Sequence, residues 1–209
     1  MKIIKENKNS RGETVKRSTN RTLELRKSLN NNSRKKARGR AANSNFFKEW
    51  VLPIVSALTL ALLINKFIYF NVYIPSGSMI PTLNIDDKLI VTKVYDKQNL
   101  KEGDIIVFYS DEYNERLVKR LIGLPGDKIE IKDGVVFRNG EKLKEDYLKN
   151  KDKYNGTFEV PQGEYFFLGD NRPDSIDSRR WEKPYIDGSN IEGKVQFRFY
   201  PIKDFGTVK

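Results

Sequence analysis

The alternation of apolar and polar positions divides the chain into three stretches. Residues 1–45 are rich in Lys, Arg, Asn and Ser, hold few large apolar residues and contain no aromatic one. Such a segment cannot bury enough apolar surface to offset its ordering entropy, so disorder is predicted, with Glu13–Ser28 as the one stretch of weak helical character. From Trp50 to Ile64 the chain then reads WVLPIVSALTLALLI, without a charge. Phe46 and Phe47 precede this run, and Phe67, Ile68, Tyr69 and Phe70 follow it. A membrane span needs about 20 mostly apolar residues. Terminal lysines such as Lys66 can extend to the headgroups, and Trp50 and Tyr69 suit the interfacial aromatic belt. Pro53 falls near the start of the run, where proline costs least. A core helix of a soluble protein would show a polar face, and this one has none. A cleaved secretory leader would have a short basic region and a small-x-small site after the apolar run. The sequence NKFIYFNVYIP offers no such site, so residues 46–70 are expected to be an uncleaved anchor.

Beyond residue 71 the period changes to that of strands. KLIVTKVY (88–95), DIIVFYS (104–110), ERLVKRLIGL (115–124), KIEIKD (128–133), GVVFRNG (134–140), EYFFLGD (164–170) and KVQFRFYP (194–201) are short, β-branched or aromatic, and often alternating. Pro125-Gly126-Asp127, Asp133-Gly134, Asn139-Gly140 and Pro161–Gly163 punctuate them as turns. Residues 141–157 are polar and read as a surface excursion. The fold class expected is a mostly antiparallel all-β catalytic domain, residues 71–209, with one N-terminal transmembrane helix and a disordered basic tail.

Charge refines this division. Residues 1–40 carry 14 Lys or Arg against 3 Glu, which is the whole formal excess of +11, and the remaining residues are balanced. The positive-inside rule therefore puts the N-terminus in the cytoplasm and the β domain on the far side of a cell membrane. A basic tail also fits nucleic acid, so a membrane-tethered nucleic-acid-binding or scaffold protein is the alternative from another class. The chain has no His and no Cys. That excludes Ser-His-Asp and Cys-His catalysis, thiolate chemistry, and zinc held by His or Cys. A catalytic base must be Lys, Asp, Glu or Tyr.

Three segments could carry chemistry. In IPSGSMIPTL (74–83), Ser76-Gly77-Ser78 lies between Pro75 and Pro81, a constrained turn that can project a hydroxyl and aim backbone N–H groups at one point. Alone, such a tripeptide is more often just a turn. In ERLVKRLIGLPGD (115–127), Lys119 and Arg120 sit within an apolar strand, so alternation sends one of them inward. A buried Lys loses its proton readily and can then accept one from serine. An edge strand with two exposed charges is the other reading. GDNRPDSIDSR (169–179) supplies hydroxyls, carboxylates and two arginines. It could orient a lysine through a hydroxyl and lock itself with an Asp177–Arg179 or Asp177–Arg120 ion pair, or it could be a solvated turn.

Together with the anchor and KEGDIIVFY (101–109), these segments resemble, in order over about residues 46–201, the bacterial type I signal peptidases. Those are membrane-anchored Ser–Lys proteases that remove signal peptides from exported preproteins. The resemblance implies Ser78 as nucleophile and Lys119 as general base. It implies an oxyanion hole from the Ser76 hydroxyl and the Ser78 backbone N–H, and Ser175 as the hydroxyl that orients the lysine. Arg120, Asp177 and Arg179 match supporting polar positions. Val72, Ile74, Met79, Leu83, Leu89, Leu117 and Val118 match pocket-lining ones. Eukaryotic secretory relatives carry His where this chain has Lys119. The implied partners are secretory preproteins with small residues at P1 and P3 and the lipid bilayer, with no nucleic acid, no metal and no cofactor. Ser78 lies about 8 residues past Phe70, an extended reach of roughly 26 Å, which keeps the site near the bilayer. A soluble self-cleaving Ser–Lys peptidase of the SOS-repressor type has a related core, but residues 46–70 argue against it.

Overall fold

The computed structural model of the chain describes residues 20–32, 34 and 46–208. Its contacts divide the chain into two units, residues 1–61 and 62–209. Residues 20–32 form a helix, α1, where the composition predicts disorder. Leu25 and Leu29 are one turn apart on it and Glu24 faces Lys27 at 4.0 Å, spacings that support a helix locally. Its side chains are all exposed. The rest of the expected disordered tail (residues 1–19, 33 and 35–45) lies outside the described residues.

The apolar run begins as a π-helical turn, Phe47–Val51, and continues as helix α2, Leu52–Phe67. The Leu52 N–H reaches back to Phe47 O, and this wider turn makes room for the Pro53 ring, which cannot donate and crowds the preceding carbonyls. Phe47–Phe67 is long and apolar enough to cross a membrane, with mean hydropathy 1.7 over its most apolar window, and it alone qualifies among the described residues. At about 1.5 Å per residue its length matches a hydrocarbon core of about 30 Å. Its hydroxyls are satisfied inside the helix: Ser56 donates to Pro53 O at 2.9 Å and Thr59 to Val55 O at 2.8 Å. The helix ends at Phe67. Tyr69 and Phe70, counted with the anchor in the sequence, already belong to strand β1, Tyr69–Tyr73, because they pair with Thr92 and Val91.

The remaining strands are β2 (Lys88–Lys93), β3 (Ile105–Ser110), β4 (Glu115–Gly123), β5 (Lys128–Lys132), β6 (Val135–Arg138), β7 (Glu141–Lys142), β8 (Gly156–Glu159), β9 (Glu164–Leu168), β10 (Ile186–Asp187), β11 (Ile191–Tyr200) and β12 (Gly206–Thr207). All pairings are antiparallel. One sheet runs β1-β2-β11-β3-β4-β9-β10, with β12 on β11, and a smaller one runs β7-β6-β5-β8. Every strand read from the pattern is present. The short β7, β8, β10 and β12 carry too few residues to show a period.

Alternation along the central strands feeds three cores. Ile106 and Phe108 of β3 and Phe167 of β9 enter one core, where Phe108 and Phe167 stack at 4.5 Å between centroids. Ile105 and Val107 face a second, with Met79, Leu83, Leu89 and Val91. Ile122, Phe166 and Leu168 face a third, beneath Ile129, Ile131 and Val136 of the small sheet. With both faces covered, β3 and β9 are continuous apolar runs rather than alternating ones. The same double cover explains β4. One of Lys119 and Arg120 was expected inside, and both are buried, at 4% and 3% exposure. Strand β9 pairs with β4 only from Arg120 to Gly123, so residues 115–118 keep a free edge while Lys119 sits where that cover begins.

Candidate active site

The turn after β1 carries Ser76 and Ser78, whose hydroxyl oxygens lie 3.4 Å apart. Its position is fixed from the loop after β9. The Asn171 N–H donates to Ser78 O at 3.0 Å, and its side-chain amide donates to Gly77 O at 3.0 Å. Asn171 was not singled out in the sequence; a lone Asn in a polar loop shows nothing of the carbonyls it will meet. Gly169 brings the loop close. A Cβ there would lie 2.5 Å from Ser175 Cβ and 2.6 Å from Ser78 O.

Ser76, Ser78 and Lys119 line one cleft of about 400 Å³ between β1 and the free edge of β4. Val72, Ile74, Met79, Leu117 and Val118 also line it, with Asn71, Tyr73 and Glu115. Leu83 and Leu89 do not. Both are wholly buried in the core behind the cleft, because they point into the layer shared with Val91 and Val107. A smaller lobe of about 200 Å³ adjoins along Ser76, Ser78, Glu115, Leu117 and Lys119, and its far wall is Tyr113, Asp174, Ile176 and Trp181.

Burial pushes the Lys119 amine down from the ordinary lysine value to about 8. Asp177 opposes this by attracting the charged form, while the Arg179 cation reinforces it; Asp170 and Glu115 add smaller opposing effects. Ser175 is wholly buried and its hydroxyl has no hydrogen-bond partner among the described residues, so the bond to Lys119 expected from the sequence is not formed.

The supporting polar residues pair more selectively than the sequence suggested. Asp177 takes Arg179 in a two-pronged pair, at 2.8 Å from both Nε and Nη2, and also accepts the Gly169 N–H at 3.0 Å. Arg120 does not join it. Its guanidinium binds Asp170 through Nε at 2.9 Å and Nη2 at 2.7 Å, donates to Gly103 O at 2.7 Å, and shares Asp170 with the Thr82 hydroxyl. Asp170 is the closer carboxylate because β4 pairs Arg120 with Leu168, two residues before it. Removing it strands a buried guanidinium. Asp170→Ala is expected to destabilise the domain by about 3–5 kcal/mol, read as a lower midpoint in chemical denaturation.

An antiparallel β domain with two serines and a buried lysine lining one cleft has the equipment of a hydrolase, and the comparisons define the class as serine endopeptidase. The family model described as signal peptidase, peptidase S26, matches residues 47–200. The probable signal peptidase I-1 of Synechocystis sp. is 40% identical over 173 residues, covering 78% of this chain and 87% of that protein. A signal peptidase I of Bacillus licheniformis is 40% identical over 172 residues, covering 77% and 92%. A crystal structure of a signal peptidase I from Enterococcus faecalis is 38% identical, with a TM-score of 0.42, covering 46% of this chain and 96% of that one. The chain belongs to the signal peptidase family, peptidase S26, and is of the signal peptidase I type.

Proposed function

We propose that the chain is a single-span membrane endopeptidase that removes N-terminal signal peptides from exported preproteins through a Ser78–Lys119 dyad. The observation that carries this reading is that Ser78 and buried Lys119 line one cleft. Neutral Lys119 takes the Ser78 proton as the serine oxygen attacks the scissile carbonyl. The negative oxygen that forms is held by the Ser76 hydroxyl and the Ser78 N–H. Lys119 gives the proton to the leaving amine, then takes one from the water that cleaves the acyl-enzyme. Arg179 supports the neutral lysine, and Asp177 holds Arg179 in place. An unpaired buried hydroxyl costs about 1–3 kcal/mol, so a bond from Ser175 to the neutral Lys119 amine is favoured once the site is loaded.

The substrate enters as an extended strand. Among the described residues strand β1 ends its sheet and residues 115–118 of β4 have no strand partner on one side, so the cleft lies between two strand edges. Main-chain bonds to these edges hold any sequence, and Ile74, Met79, Leu117 and Val118 leave room for small apolar side chains at P1 and P3. The helix over residues 47–67 anchors the chain, with the basic tail in the cytoplasm and the β domain outside.

Incubating the purified protein in detergent with a test preprotein is expected to give one cut after a small-x-small site, mapped by sequencing the new N-terminus. Cuts elsewhere, or none, overturn the reading. Activity also has a predicted pH dependence. Only the neutral amine can act as base, so kcat/KM is expected to level off above about pH 8. Below that it falls about tenfold per pH unit, as protonation removes the base. A profile flat from pH 6 to 9 would count against Lys119.

A further inference from the structure

Residues 143–155 join β7 to β8, the two opposite edges of the small sheet. Their composition suits a solvated loop, yet several of their side chains turn inward. Glu145 pairs with Arg172, and both side chains are almost wholly buried. The Tyr147 hydroxyl donates to Glu145 at 3.1 Å, and its ring lies 3.8 Å from the Arg120 guanidinium carbon. Asp152 accepts from Arg179 Nη1 at 2.5 Å, and the Tyr154 hydroxyl donates to Arg179 O at 3.1 Å. The seat is shaped for this segment. The Gly134 N–H donates to Tyr154 O at 3.0 Å, and a Cβ on Gly134 would overlap the Asp152 carbonyl.

Arg120, Arg172 and Arg179 are all buried in the polar layer behind the cleft, and each has a residue of this segment against it. Two of them also hold the loop that fixes the Ser78 turn. Arg172 Nε donates to Gly169 O at 3.1 Å, and Arg179 Nη2 donates to Arg172 O at 2.8 Å. Two residues past Gly169, Asn171 holds the carbonyls of Gly77 and Ser78.

We propose that residues 143–154 are a positioning strap: Glu145 and Asp152 hold Arg172 and Arg179, and through them keep the 169–171 backbone, and so Ser78, in register with Lys119. This rests on the Ser78–Lys119 reading above. Buried Arg172 without Glu145 has no carboxylate and seeks water, and Arg179 without Asp152 keeps only Asp177 and loses the hold on its Nη1. The loop then opens and the Ser78 turn loses its anchor, while the walls of the cleft stay in place. Turnover falls and substrate affinity does not. The groups acting on Lys119 are Asp177, Arg179, Asp170 and Glu115. Among them Arg179 is the cation that Asp152 holds, so loosening it also lets the lysine keep its proton to higher pH.

The test compares wild type with Glu145→Gln, Asp152→Asn, Asp152→Glu and Asp146→Asn, using full-length protein in detergent and a test preprotein. Asp146 pairs with Lys144 on the exposed side of the same segment and serves as the control. Glu145→Gln and Asp152→Asn are expected to lower kcat about tenfold or more with KM within about twofold. Asp152→Asn is also expected to move the acid limb of the pH profile upward. Asp152→Glu, which keeps the carboxylate, restores most of the loss, and Asp146→Asn matches wild type. Undiminished kcat in Glu145→Gln and Asp152→Asn overturns the strap while leaving the dyad standing. So does an equal loss in Asp146→Asn, or a loss confined to KM. A wild-type protein that leaves the preprotein intact overturns the dyad reading and the strap with it.

Discussion

Ser78→Ala and Lys119→Met are each expected to abolish preprotein cleavage, by a factor on the order of 10⁴ or more, because two groups that act as one unit fail together when either is lost. Lys119→Arg is expected to fail as completely as Lys119→Met. A guanidinium stays charged at any working pH, so it can supply a cation but not a base. Cleavage by Lys119→Arg at a tenth of the wild-type rate would show that charge, not proton transfer, is what position 119 provides. Stability is expected to move the other way. The lysine is almost wholly buried, and its proton is held less tightly in the folded domain than in the unfolded chain. The folded state therefore bears a penalty that is complete below about pH 8 and disappears toward pH 10.5. Lys119→Met removes it, for a gain of up to about 3 kcal/mol near neutral pH, read as a higher unfolding midpoint. A variant that is inactive yet more stable than wild type separates a lost catalytic group from a lost fold.

Gly169→Ala has the second largest expected effect, and it changes no group that touches the substrate. The added methyl would fall on the Ser175 side chain and 2.6 Å from Ser78 O. Neither neighbour yields cheaply. Ser175 is wholly buried, and Ser78 O belongs to the backbone of the turn that carries the proposed nucleophile. Overpacking of this kind costs about 1–3 kcal/mol of stability. The Ser78 turn relieves it by shifting, and a misplacement of about 1 Å lowers kcat by about 10²-fold. The expected result is a folded domain, with the wild-type spectrum by circular dichroism, that turns over about 10²-fold more slowly at nearly the same KM. Turnover within threefold of wild type would show that the turn and the loop are not mechanically joined here.

The strands and the residues of the two hydroxyl turns were legible in the sequence because their signals are local. Alternation in KIEIK (128–132), the prolines around Ser76-Gly77-Ser78 and the continuous apolar run of EYFFL (164–168) each speak within a few residues. Pairings between distant segments were not. The sequence leaves Asp177 to either Arg179 or Arg120; the fold gives it Arg179, and the register of β4 on β9 gives Arg120 to Asp170. Leu83 and Leu89 match pocket-lining positions in the sequence, and the fold buries both in the core. Asn171 gave no signal, since its function consists of reaching two carbonyls at the far end of another loop. The excursion at 141–157 read as surface because its charges are plentiful. Charges look solvated in a sequence until their partners are known, and the partners of Glu145 and Asp152 lie 27 residues along the chain.

By itself the sequence determined the family, the membrane-length helix, the antiparallel β class and the exclusion of imidazole and thiolate chemistry. These follow from composition and short-range order: an uncharged run, period-two alternation, four motifs in sequence, and the absence of His and Cys. Tertiary structure alone decided which charges neutralise which, which apolar residues face the cleft, and how deeply Lys119 is buried. These depend on where β9 stops covering β4 and on how residues 143–154 lie over three arginines. A lysine in a sequence is a cation by default, and only its burial in the fold brings the Lys119 amine down to about 8.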